Sequence, residues 1–259
     1  DRLALSVYLR YCELLNKKID FPEECYQGDY IYDISRILID KYAEQLLDDK
    51  GNKLFKKTAE QHIFNDIKNT LKKLGIGFDN FFNEDSLYKN KAIFEVVESL
   101  KNKKLIYKKD EATWFEGTKV GRNADRVLIK STGEPTYRLP DIAYHKNKFD
   151  RNFDLIIDVF GADHMDAYPD VLAALEQLDC NINKMEVLIH QFVTITKDGA
   201  SIKMSTRKAN FITLDELLDE VGIDVVRYFF LMRGANTHLN FDMDIAKSES
   251  DENPVFYLQ

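Results

Sequence analysis

Cysteine is scarce in this chain. Cys12, Cys25 and Cys180 are the only three in 259 residues. Their spacing matches no metal-binding pattern, and an odd number without a pairing pattern argues against a disulfide scaffold. A reducing, cytoplasmic compartment is the expectation. Long apolar runs are missing too. None approaches the roughly 20 residues that span a bilayer, and no secretory leader opens the chain, so a soluble protein is expected. A positive charge balance is also lacking. The 36 Lys and Arg are outnumbered by 44 Asp and Glu, for a net charge of −8. That excludes a chain-wide basic surface for nucleic acid and leaves room only for a local patch. Internal repeats and low-complexity segments are absent, which removes solenoids and disordered linkers.

What is present suits a globular α/β protein. Hydrophobic residues make up 44% and aromatics 12%, enough to bury a sizeable core in one or two domains. Apolar side chains recur with a helical period over residues 1–16 and 29–49, and further helices are expected over 57–74 and near 90–102. The texture then changes. LIYKKDEATWFEGT and ADRVLIKSTGEPTYRL carry short β-rich runs separated by turns. DLIIDVFG, 154–161, is a continuous apolar run that predicts a parallel strand buried on both faces. A helix over about 167–178 follows, and MEVLIHQFVTIT predicts another strand, giving a βαβ unit. Thr213 and Glu216 match a capping box, and 222–233 reads as a further helix.

Three stretches carry chemistry. VFGADHMDAY sits where a strand ends and a helix begins, the edge at which open α/β sheets bind ligands. Gly161 permits close backbone approach, Asp163 suits ribose hydroxyls, and His164 suits a phosphate or ribose. The plainer explanation is a loop with Asp163 as helix N-cap. KDGASIKMSTRKANF places Lys203, Arg207 and Lys208 beside Ser205 and Thr206, after a flexible Gly199. Such a group fits a triphosphate, or else a solvated basic turn. In PTYRLPDIAYH, Tyr137 and Asp141 are one helical turn apart, a phenol and a carboxylate able to grip a planar cation. Otherwise Tyr137 is core and Asp141 supports the helix start.

Taken in order, these segments resemble the class I aminoacyl-tRNA synthetases, and within them the arginyl branch. IKMSTRKANF resembles that class's KMSKS signature, and FGADH resembles its ribose-binding strand end. TYRLPDIAYH, FITLDELLDEVGIDVVRYFFLMR and HLNFDMDIAKSESDENPVFYLQ carry the likeness to the arginine enzymes. The resemblance implies a partial Rossmann-like class I catalytic domain with a helical insertion. It implies catalytic roles for Lys203 and Ser205, with Lys203 stabilising the pyrophosphate leaving group. It implies ATP binding by Gly161, Asp163, His164, Lys203, Met204 and Ser205. Tyr137 and Asp141 fall on the pair that recognises the guanidinium of arginine. The implied partners are ATP with its Mg2+, L-arginine and tRNA(Arg), with no protein metal site and a monomeric full enzyme. Arginine is activated to arginyl-adenylate and then passed to tRNA, with bound tRNA needed for the first step.

The match has gaps. None of the five histidines lies in the His-x-Gly-His turn that forms the class's first signature. Ala209 stands where a glycine is common. Both ends read as cut, so the expectation is a catalytic-domain fragment, inactive alone. The expected organisation is a mostly helical insertion over 1–112, the second half of the nucleotide fold with the KMS-type loop over 113–235, and a linker leading to a helical domain over 236–259. Two alternatives stay open: another class I synthetase or nucleotidyltransferase, and a non-catalytic module that binds nucleotide or tRNA.

Overall fold

Where the apolar period is helical, helices form. The computed structural model describes residues 2–202 and 212–256. They fall into two units, one of Asp1–Asp79, Val193–Arg233 and Asn240–Gln259, the other of Asn80–Phe192 and Gly234–Leu239.

The first unit opens with α1 (Arg2–Leu14), α2 (Tyr30–Tyr42) and α3 (Lys53–Lys73). Val7, Tyr11, Ile31, Ile34, Leu38 and Phe55 form their shared core. On α2 the residues Ile31, Ile34 and Leu38 lie along one stripe, which is the face it buries. Asn52 starts α3 by accepting a hydrogen bond from the Leu54 N–H, satisfying a donor that the helix itself leaves free. The second helix is shorter than the sequence predicts. It stops at Tyr42 because Ala43 adopts φ 47° and ψ −118°, a positive-φ conformation off the helical track that ends the α-helical ladder. The Tyr11 hydroxyl donates to the Ala43 carbonyl and anchors that break.

The second unit carries α4 (Asp85–Lys89), α5 (Ala92–Asn102), β1 (Ile106–Lys109), β2 (Ala112–Phe115), β3 (Arg126–Ile129), α6 (Arg138–Asp150), β4 (Ile156–Gly161), α7 (Tyr168–Gln177) and β5 (Met185–His190). Strands β1, β2 and β3 form an antiparallel sheet in that order. Strands β4 and β5 pair in parallel from Ile156 opposite Met185 to Gly161 opposite His190, with α7 as the connection. This is the βαβ unit predicted from the sequence. Leu87, Ile93, Val96 and Leu100 from α4 and α5 share one core with Phe115, Leu128, Leu139, Ile142 and Leu175. Residues from the helical first hundred therefore help to seat α6, the helix that carries the candidate site.

Two strand expectations are corrected. Strand β4 is buried on one face only: Ile156 and Asp158 point inward, whereas Val159 is 65% and Ile157 51% exposed. The run hides an ordinary alternation, because the exposed set, Ile157 and Val159, is apolar too. MEVLIHQFVTIT is two strands rather than one. It breaks after His190, where the Gln191 N–H turns to the Ala235 carbonyl.

The remainder of the first unit holds β6 (Val193–Lys197), β7 (Ala200–Ser201), α8 (Leu214–Val221), α9 (Ile223–Leu231), β8 (Leu239–Asp242) and α10 (Met243–Lys247), with strand order β7–β6–β8. The capping box forms. The Glu216 N–H donates to Thr213 Oγ1 at 3.0 Å, and the Thr213 N–H donates to Glu216 Oε2 at 2.7 Å. Among the described residues no helix is long and apolar enough to cross a membrane.

Candidate active site

The entry to α6 is pinned by its preceding threonine. The Thr136 N–H donates to the Leu128 carbonyl at 2.8 Å, and its hydroxyl donates to the Val127 carbonyl at 2.7 Å, fastening the loop to β3. Pro140 then sits in the first turn, where a missing N–H costs nothing. Tyr137 occupies the N-cap position and is 96% exposed, so it is not a core residue. Asp141 is one turn further on, with its side chain 34% exposed. Both residues line one cleft of about 420 Å3, together with Phe82, Glu84, Tyr144 and His164. Phe82 and Tyr144 stack at 4.4 Å in its wall. Two carboxylates among aromatic rings form a setting that attracts a planar cation and repels an anion.

The end of β4 supplies the other candidate group. Ala162–His164 form a single 3-10 turn. A Cβ on Gly161 would lie 2.5 Å from Asp163 Oδ1, so glycine there allows the Asp163 carboxylate to fold back over the backbone. Asp163 is not a helix cap, for Ala167 holds that position before α7. His164 stacks on Phe160 at 5.1 Å and faces the cleft with Tyr137 and Asp141. Gly161 and Asp163 do not line that cleft. Lys203, Met204 and Ser205, with Arg207, Lys208 and Ala209, lie outside the described residues.

Behind the cleft lies a buried charge cluster. The His145 side chain is only 3% exposed. Its Nδ1 donates to the Asp141 carbonyl at 2.8 Å and lies 3.3 Å from Asp141 Oδ1. Its Nε2 is 2.7 Å from Asp158 Oδ2, and Lys148 Nζ donates to Asp158 Oδ1 at 2.5 Å. Burial works against the imidazolium, but its hydrogen bonds to the Asp141 and Asp158 carboxylates outweigh it and hold His145 up at about 9. Burial likewise raises Asp158, and the His145 and Lys148 hydrogen bonds more than reverse it. The ring is therefore a cation at neutral pH, and two cations face two carboxylates.

A second buried acid orders the neighbouring elements. Asp170 on α7 meets Arg122 at 3.0 Å, Arg126 at 2.7 Å and Arg138 at 3.4 Å. Burial raises its carboxyl, but the Arg126 and Arg122 hydrogen bonds prevail and hold it below the usual carboxylate range.

Glu84, His145, Lys148 and Asp158 escape the motif reading. A signal for the cluster is visible in retrospect: Asp158 interrupts the apolar run LIIDVF, and an acid inside a strand core needs a cation. Glu84 carries no comparable signal, because its place in the cleft depends on tertiary packing.

The chain matches the family described as tRNA synthetases class I (R), catalytic domain, over residues 23–230, and it belongs to that family. It is 55% identical over 257 residues to an arginine–tRNA ligase of Desulfotalea psychrophila, covering 99% of this chain and 47% of that protein. It is 51% identical over 262 residues to an arginine–tRNA ligase of Chlorobium phaeobacteroides, with 99% and 47% covered. A solved Campylobacter jejuni structure assigned as an arginyl-tRNA synthetase superposes with a TM-score of 0.87 at 33% identity, covering 98% of this chain and 56% of that one. The Thermus thermophilus arginyl-tRNA synthetase has a TM-score of 0.62 at 13% identity over 95% of this chain and 52% of that one, a likeness of fold alone. The chain thus spans about half the length of the curated relatives it matches.

Proposed function

We propose that the full-length protein is an arginine–tRNA ligase, a cytoplasmic monomer that activates L-arginine with ATP and passes the arginyl group to tRNA(Arg). The observation that carries the arginine assignment is the cleft in which Glu84 and Asp141 accompany Tyr137, Tyr144 and Phe82. A guanidinium is planar, permanently charged and rich in donors, so paired carboxylates and aromatic faces suit it. The relatives named above support the reaction class.

In this reading Tyr137 and Asp141 hold the guanidinium, with Glu84 as a second acceptor. Gly161, Asp163 and His164 meet the ribose and adenine of ATP, which arrives with its Mg2+ as substrate. The arginine carboxylate oxygen attacks the α-phosphorus, forming the mixed anhydride as the bond to the β-phosphate oxygen breaks and pyrophosphate leaves. Lys203 stabilises the charge on that leaving group, and Met204 and Ser205 keep the loop at the triphosphate. A ribose hydroxyl of the tRNA end then attacks the arginyl carbonyl and releases AMP. No side chain becomes covalently attached; the protein contributes positioning and charge stabilisation. The test is ATP–pyrophosphate exchange by the full-length protein with tRNA(Arg) present. Exchange is expected with arginine and absent with citrulline, whose urea group has arginine's shape without its charge. Equal exchange with both, or exchange driven by an unrelated amino acid, would overturn the assignment.

A further inference from the structure

The mechanism above leaves the buried His145 without a task. A histidine in a core is ordinarily satisfied by one backbone carbonyl. This one does more, because its two nitrogens join the start of α6 to the middle of β4. Nδ1 engages the Asp141 carbonyl at 2.8 Å and Asp141 Oδ1 at 3.3 Å, while Nε2 meets Asp158 at 2.7 Å. Asp158 is itself held by Lys148 at 2.5 Å. The charged groups facing the ring are thus Asp141 and Lys148 from α6 and Asp158 from β4. Tyr144 and Phe160 close its sides, each with ring centres 6.0 Å away. The ring cannot turn without losing two charged contacts at once. A carboxylate touching it is therefore restricted in its own rotation.

We propose that His145, clamped by Asp158, is a positioning residue that fixes the orientation of the Asp141 carboxylate toward the cleft and thereby sets arginine affinity. The inference rests on the arginine reading of that cleft and adds a residue one layer behind it. It divides the labour between the two carboxylates of the cleft. Asp141 is oriented by a protein cation, whereas among the described residues His145, Lys148 and Asp158 make no hydrogen bond or ion pair with Glu84, which leaves Asp141 as the acceptor whose geometry is set in advance.

His145→Gln, Asp158→Asn and Asp141→Asn in the full-length protein test it, assayed by exchange. His145→Gln and Asp158→Asn are expected to raise the KM for arginine about tenfold while kcat and the KM for ATP stay within about twofold. If Asp141→Asn raises the arginine KM and His145→Gln does not, the positioning role is wrong and the guanidinium reading stands. If none of the three changes it, both fall. Equal changes for arginine and ATP would reduce His145 to a structural role and overturn the inference. A measurement on the unmodified protein guards against a variant that fails to fold. In 15N spectra of histidine-labelled protein at pH 8, both His145 ring nitrogens are expected to be protonated. A ring with one bare nitrogen would remove the clamp and the proposal with it.

Discussion

Replacing Asp141 by asparagine in the full-length protein is expected to raise the KM for arginine by about 10- to 100-fold, while the KM for ATP stays nearly constant. The estimate follows from hydrogen bonds to charged groups, which contribute on the order of 1.5–3 kcal/mol, where about 1.4 kcal/mol is a factor of ten. Asparagine keeps the size and one acceptor oxygen, so packing against His145 survives. What disappears is the charge facing the guanidinium. Michaelis constants from exchange kinetics check this, with each substrate varied at saturating levels of the others. Equal increases for arginine and ATP would mean that Asp141 supports the fold of the whole site rather than the guanidinium.

The second large effect is on stability. Asp170 is 2% exposed and holds three arginines drawn from the loop after the β1–β2 hairpin, from β3 and from α6. Asp170→Asn leaves those guanidinium groups facing a neutral amide. Breaking a buried ion pair on one side costs roughly 3–5 kcal/mol. Here about 3 kcal/mol is expected, because each arginine side chain keeps a quarter to a third of its surface in water. Trp114, the one tryptophan, lies on β2 in the same unit, so urea unfolding followed by its fluorescence reads the effect. The pH dependence has a definite sign. The Asp170 carboxyl is held below its unfolded value, so its stabilising charge is present above about pH 4 and is lost as pH falls through the folded pKa. The gap between wild type and variant should therefore shrink in acid. An unchanged midpoint at pH 7, or a gap that widens as pH falls, would contradict this account of Asp170.

Much of the fold is legible along the chain, and particular residues show why. The stripe of Ile31, Ile34, Ile37, Leu38 and Tyr42 predicts α2, although Ile37 turns out 43% exposed; the Thr213–Glu216 box predicts the start of α8, and the strand–helix–strand order predicts the parallel pairing of β4 with β5. The end of α2 is not legible, because nothing local marks Ala43 for a positive φ; a tyrosine from another helix anchors it. The one-sided burial of β4 is hidden because Ile157 and Val159 look like core residues in sequence. Within the site, Tyr137 and Asp141 can be paired from their spacing alone, since one helical turn separates them. Glu84 and Asp158 reach the same neighbourhood from other elements, which is information carried by tertiary packing.

The central claim is that the cleft beneath Tyr137 receives a guanidinium. A crystal structure of the full-length protein with bound arginine tests it most directly. The expected result is a guanidinium within hydrogen-bond distance of the Asp141 carboxylate, with Glu84 and the Tyr137 ring around it. Arginine bound elsewhere, or turned so that its α-carboxylate rather than its guanidinium faces Asp141, would contradict it.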